Sequence, residues 1–156
     1  VEASTYDALL GALGATGPVV DLKLKRLFAR PKVRVTVTYA NDDFPPEVHD
    51  LFAGENLRTA MLVRGVKLND ALARRFDSQM NGGNCGGEGT CCTCAVAVLP
   101  GLDAVLSPPA AQERQMLKPT PSWRLACKAT VGNPSTMAPG ERANLNICVN
   151  PNQRPA

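Results

Sequence analysis

Aromatic side chains are scarce in this sequence: one tryptophan, two tyrosines and four phenylalanines amount to 4% of 156 residues. A core built from such a chain is aliphatic. No aromatics are interleaved with its cations in the way that stacks single-stranded nucleic acid, so a nucleic-acid partner is not expected. Histidine is scarcer still. His49 stands alone, with no serine or cysteine at a recognisable motif spacing, so a hydrolytic triad has no support and the residue reads as a satisfied surface or core histidine. No apolar run approaches the roughly 20 residues that cross a bilayer. The start at Val1 has neither the charged beginning nor the apolar stretch of a secretory signal, and the expectation is a chain whose leader has been removed. Gly11, Gly14 and Gly17 are too loosely arranged for a phosphate loop.

Turn-forming residues, by contrast, are abundant. Thirteen prolines and thirteen glycines, with 44% apolar and 20% charged residues, suit a loop-rich sheet domain and exclude both a disordered chain and a membrane span. The formal net charge is +3, and the basic residues cluster early, at Lys23, Lys25, Arg26, Arg30, Lys32 and Arg34. They read as the solvated flank of a helix and a strand.

Along the chain, residues 1–31 stand apart. Tyr6, Leu9, Leu10 and Leu13, and after Gly17-Pro18 also Val20, Leu24, Leu27 and Phe28, recur at helical spacing. They predict an amphipathic N-terminal helical extension whose apolar sides need a partner. A compact domain is expected over 32–150, with a tail over 151–156. Val33, Val35, Val37 and Tyr39 alternate with polar residues as a half-buried strand does, and His49–Ala53 is expected to return beside it. Asn56–Arg64 favours a helix closed by Gly65, and a second short helix is expected over 69–76. Residues 81–94 hold five glycines among fourteen residues, too many for a regular element. Strand character follows at Cys94–Leu99, a helix at Ala110–Leu117, and strands at Trp123–Val131 and around Leu145, Ile147 and Val149. The sum is an α+β domain with a mixed sheet.

Chemistry concentrates in the cysteines. Cys85, Cys91 and Cys94 follow Cys-x5-Cys-x2-Cys, and Cys127 comes after 32 intervening residues. Plant-type 2Fe-2S sites have Cys-x4-Cys-x2-Cys and a distant fourth, so the first gap here is one residue longer. A compact anionic cluster needs one loop to wrap it with three thiolates and a strand alongside to bring the fourth, while glycines let backbone N–H groups turn toward the sulfurs. Cys92 and Cys148 are left over and read as inert thiols. Three disulfides are a poor alternative, because Cys91 and Cys92 are adjacent. Structural zinc is the nearer competitor, although it usually takes paired Cys-x2-Cys knuckles and Cys127 stands alone.

The stretches Asn84-Cys85-Gly86-Gly87-Glu88-Gly89-Thr90-Cys91-Cys92-Thr93-Cys94 and Leu117-Lys118-Pro119-Thr120-Pro121-Ser122-Trp123-Arg124-Leu125-Ala126-Cys127 resemble the plant-type 2Fe-2S ferredoxin superfamily. Within it, the second stretch is most similar to the branch of ferredoxin-like subunits in subcomplex B of the chloroplast NADH dehydrogenase-like complex. The likeness covers roughly residues 33–150. It implies a β-grasp fold, a mixed sheet packed on a helix, with Cys85, Cys91, Cys94 and Cys127 as ligands of one 2Fe-2S cluster. It also implies a bound electron-transfer subunit rather than an enzyme, peripheral on the stromal side of the thylakoid membrane among the protein subunits of a large photosynthetic complex. Soluble photosynthetic ferredoxins are strongly acidic; a net positive chain with an apolar arm suits permanent docking. The branch usually has glycine where Cys92 and Glu88 stand. A structural or assembly subunit with a non-redox cluster is an alternative, as is a mitochondrial adrenodoxin-like carrier, which shares the five-residue gap.

Overall fold

The computed structural model describes residues 30–40, 44–68 and 84–151. The helices expected within 1–31 and over 69–76 lie outside these residues, as does the tail after 151. The chain divides into two units, Val1–Arg30 and Pro31–Ala156, and every element below belongs to the second.

The alternating segment forms strand β1, Lys32–Tyr39. Val33, Val35 and Val37 turn one face inward with no exposed surface, each burial contributing about 1.5–3 kcal/mol. Strand β2, Glu47–Phe52, returns antiparallel, placing Val35 opposite His49. His49 bonds Glu47 Oε2 at 3.0 Å. Strand β3, Glu55–Asn56, leads into helix α1, Leu57–Val63, which buries Leu57, Ala60 and Met61. Asn56 caps it, its Oδ1 accepting from Thr59 N–H at 3.1 Å. At the other end Gly65 takes φ +80°, and the N–H groups of Gly65 and Val66 close on the carbonyls of Leu62 and Met61 at 3.1 Å.

Beyond the glycine loop come strand β4, Ala95–Val98, a 3-10 turn at Asp103–Val105, and helix α2, Ala111–Met116. The strand expected over Trp123–Val131 is instead two short ones, β5 at Trp123–Leu125 and β6 at Thr130–Val131. Between them the N–H groups of Lys128 and Ala129 bond back to Leu125 carbonyl, which curls the chain out of the sheet. Strand β7, Arg142–Val149, completes the set.

The main sheet has the order β2-β1-β7-β4-β5, parallel between β1 and β7 and antiparallel elsewhere; β3 and β6 form a separate pair. Leu145, Ile147 and Val149 of β7 join the valines of β1, Val96 and Val98 of β4, and the buried face of α1 in one aliphatic core. The fold is the expected α+β mixed sheet packed on a helix. No helix among the described residues is long and apolar enough to cross a membrane.

Candidate metal centre

Residues 84–94 run without a strand or helix between α1 and β4. Gly86, Gly87 and Gly89 all have positive φ, and so does Cys92 at +57°. A left-handed backbone at a residue with a Cβ costs about 1–2 kcal/mol. The position of Cys92 is thus one where glycine would be at ease.

The loop folds inward on sulfur. Cys91 Sγ lies 3.3 Å from Cys85 Sγ, accepts from the Cys85 N–H at 3.3 Å, and sits 3.1 Å from Thr93 Oγ1. Burial opposes a charge on Cys85, yet the N–H groups of Cys91, Thr90 and Gly87 point at its sulfur and hold the thiol down at about 5. Cys94 and Cys127 form the second pair. The Cys127 thiol donates to Cys94, which brings Cys94 down to about 7 and pushes Cys127 well above the ordinary thiol range. The charge on Cys85 is felt at both.

The sequence placed the fourth cysteine on a strand; the structure puts it in the turn that follows β5. Ala126 N–H bonds Cys94 carbonyl at 3.1 Å, which ties that turn to the end of the loop. The first turn of α1 grips it from the other side. Asn56 Nδ2 donates to Cys127 carbonyl at 2.9 Å, Leu57 N–H to Ala129 carbonyl at 2.9 Å, and Arg58 N–H to Ala126 carbonyl at 3.0 Å. Arg58 Nη2 also donates to Asn84 Oδ1 at 3.3 Å, the same oxygen that caps Gly86 N–H at 2.8 Å. One helical turn therefore holds both segments that carry the cysteines.

Arg124, three residues before Cys127, is buried against Glu113 of α2 rather than turned to the sulfurs. Trp123 packs half-buried against the core. Asn56, Arg58 and Asn84 were not singled out in the sequence. Asn56 had a local signal, an asparagine one step ahead of a helix; the other two had none.

The four candidate sulfurs thus come as two pairs. None of the six cysteines is in a disulfide. No group of three or more His, Cys, Asp or Glu side chains among the described residues is drawn together around one point. Two thiol pairs suit a centre of two metal atoms with two thiolates to each. Cys91 and Cys94 are almost sealed, at 2% and 3% exposure, while Cys85 and Cys127 are half-buried. Cys92 is half-buried against the core. Cys148 pairs across the sheet with Thr38 and Ala97, not with the inward-facing residues of its neighbours, and is buried away from the aliphatic core.

No known protein-family profile matches the chain. It is 37% identical over 97 residues to the photosynthetic NDH subunit of subcomplex B 3, chloroplastic, of Arabidopsis thaliana, a match covering 60% of this chain. The match spans 44% of that relative, so less than half its length is represented here. Among solved structures, a ferredoxin from Rhodopseudomonas palustris HaA2 superposes with TM-score 0.52 at 24% identity, covering 79% of this chain and 99% of that one. A reduced putidaredoxin variant from Pseudomonas putida superposes with TM-score 0.52 at 21% identity, covering 74% and 94%. At these identities the likeness speaks to the backbone, and the backbone of this chain is ferredoxin-like.

Proposed function

We propose that Cys85, Cys91, Cys94 and Cys127 hold one 2Fe-2S cluster, and that the chain is a one-electron carrier bound within a chloroplast thylakoid complex. The observation that carries this reading is the pairing of the sulfurs, Cys85 with Cys91 and Cys94 with Cys127, inside a ferredoxin-like fold. The likeness to a chloroplastic photosynthetic NDH subunit supports a place among protein subunits; the proposed position is peripheral, on the stromal side of the membrane. The net charge of +3 fits a docked protein better than a carrier steered by acidic charge.

When bound, a plant-type cluster supplies a one-electron couple at about −400 mV. The chain supplies the rest. Gly87, Thr90 and Cys91 aim N–H groups at Cys85 and so favour its thiolate. Thr93 holds Cys91 in place, its hydroxyl 3.1 Å from the sulfur and its N–H donating to it at 3.5 Å. The core under Cys94 keeps water from that side of the site. No side chain is required to make or break a bond, so the fitting role is transfer of an electron rather than catalysis.

The test is an absorption spectrum of the purified chain with iron and acid-labile sulfide analysis, followed by electron paramagnetic resonance after strong reduction. Iron and sulfide in equal amounts and a reducible signal are expected. Zinc without sulfide would overturn the cluster, and a cluster that never reduces would favour a structural subunit. Recovery from thylakoids in moderate salt as a free monomer would overturn the docked role.

A further inference from the structure

Two cations lie against the glycine loop, one at Gly87 and one at Gly89. Arg58, on the first turn of α1, is anchored by Asn84 Oδ1, and its Nη1 would stand 3.6 Å from a Cβ placed on Gly87. Lys128, in the turn after Cys127, crosses the loop at Gly89 so closely that a Cβ there would stand 2.5 Å from its Cε. Neither cation has a carboxylate partner among the described residues, whereas Arg34, Arg64 and Arg124 each have one. Glu88, between the two glycines, is exposed.

We propose that Arg58 and Lys128 are positioning residues of the centre that hold the loop at Gly87 and Gly89 and raise its reduction potential. The proposal rests on the cluster reading above. Reduction adds one negative charge to a centre that is already anionic, and an unpaired cation nearby stabilises the reduced form more than the oxidised one. Both cations are only half-buried, so solvent screens them in part, but among the described residues neither charge is spent on a carboxylate. Arg58 has a second task that a bare charge would not perform. Its backbone and its guanidinium join the Cys127 turn to the Cys85 loop through Ala126 and Asn84.

The experiment compares midpoint potentials of the cluster-loaded chain with Arg58→Gln, Lys128→Gln, the double variant and Arg58→Lys. Each glutamine variant is expected to keep the parent's visible spectrum with a more negative potential, and the double variant to shift further than either. Arg58→Lys keeps the charge and loses the planar fork, so its potential is expected near the parent's while a chelator strips its cluster faster. Glutamine variants that load normally at the parent's potential would overturn the charge-setting role. A chelator rate unchanged in both Arg58 variants would overturn the positioning role. Amide exchange of Gly86 in the cluster-free chain is read alongside by nuclear magnetic resonance, where faster exchange in Arg58→Gln supports the clamp and an unchanged rate counts against it. A parent chain that takes up no iron and sulfide would overturn the cluster reading and this proposal together, and is told apart from the other failures by the parent's own spectrum.

Discussion

The Glu113 carboxylate receives the Arg124 guanidinium through two bonds, Oε1 at 3.0 Å from Nε and Oε2 at 3.3 Å from Nη2, with the side chains 1% and 5% exposed. The same carboxylate accepts Leu125 N–H at 2.9 Å and Ala110 N–H at 2.8 Å. Its acceptor sites are filled, which is what allows a charge to be buried at all. Glu113 thereby fastens α2 to β5, the strand that delivers the Cys127 turn. Glu113→Ala leaves a buried guanidinium without a partner, and a loss of about 3–5 kcal/mol is expected. Denaturant midpoints measure it. Replacing both residues at once, as Glu113→Leu with Arg124→Met, is expected to recover part of the loss, because no lone charge then stays buried.

Asn56 has two separable jobs. Its Oδ1 caps α1 through Thr59 N–H, and its Nδ2 holds Cys127 carbonyl. Asn56→Ala removes both and is expected to cost about 1 kcal/mol for the cap alone. Asn56→Asp keeps the cap and loses the donor. Residues that orient metal ligands typically matter about 10–100-fold in metal affinity. Both variants are therefore expected to release iron to a chelator about 10-fold faster or more, with Asn56→Asp keeping the cap's share of the stability that Asn56→Ala loses. An aspartate variant that retains iron as the parent does would remove Asn56 from the site.

These two residues show where sequence reading succeeds and where it stops. The left-handed Gly65 and the alternation of Val33, Val35 and Val37 are local signals, written within a few neighbours; the Asn56 cap is equally local, though it was not singled out in the sequence. The spacing of Cys85, Cys91 and Cys94 is local too, and it was legible with the glycines that let the loop bend. The pairing of Glu113 with Arg124 and of Arg58 with Asn84 joins residues 11 and 26 positions apart, and no periodicity encodes it. Trp123–Val131 was read as one strand because its residues favour strands. The turn at 126–129 comes instead from tertiary bonds to Cys94, Leu57 and Arg58 that move Cys127 off the sheet.

Tyr39 offers a pH test away from the cysteines. It is 6% exposed, its hydroxyl donates to Glu47 Oε1 at 2.9 Å and accepts Lys67 N–H at 3.3 Å. Burial raises its phenol above the ordinary value, the Lys67 bond lowers it, and Glu47 adds to the rise. The neutral form is favoured in the folded chain. Its contribution to stability is therefore full below the unfolded phenol's value of about 10 and is lost as pH climbs through the higher folded value. In a Tyr6→Phe background Tyr39 is the remaining tyrosine, and its phenolate absorbance is expected above pH 10 by about that reasoning. Glu47→Gln is expected to bring the titration down; an unmoved curve would mean that Glu47 plays no part.

Substituting the six cysteines one at a time separates ligands from bystanders. Serine at Cys85, Cys91, Cys94 or Cys127 breaks one of the two pairs, and loss of the visible spectrum is expected for each of the four. Serine at Cys148 removes a sulfur buried on the other side of the sheet, and the spectrum is expected to survive with a modest loss of stability. Cys92 is the more informative control because it sits between two of the candidate ligands. Cys92→Gly relieves a left-handed strain of about 1–2 kcal/mol. It also frees the unfolded chain, which costs about 0.4–1 kcal/mol, and gives up the half-buried packing of a small thiol. The terms nearly cancel, so stability within about 1 kcal/mol of the parent and an unchanged spectrum are expected. Valine at the same place is β-branched where φ is +57°, and it is expected to destabilise the loop and shed the cluster although the thiol it replaces is not among the four proposed ligands. A Cys92→Gly chain without a cluster, measured beside an intact Cys127→Ser chain, would reverse the assignment of the site.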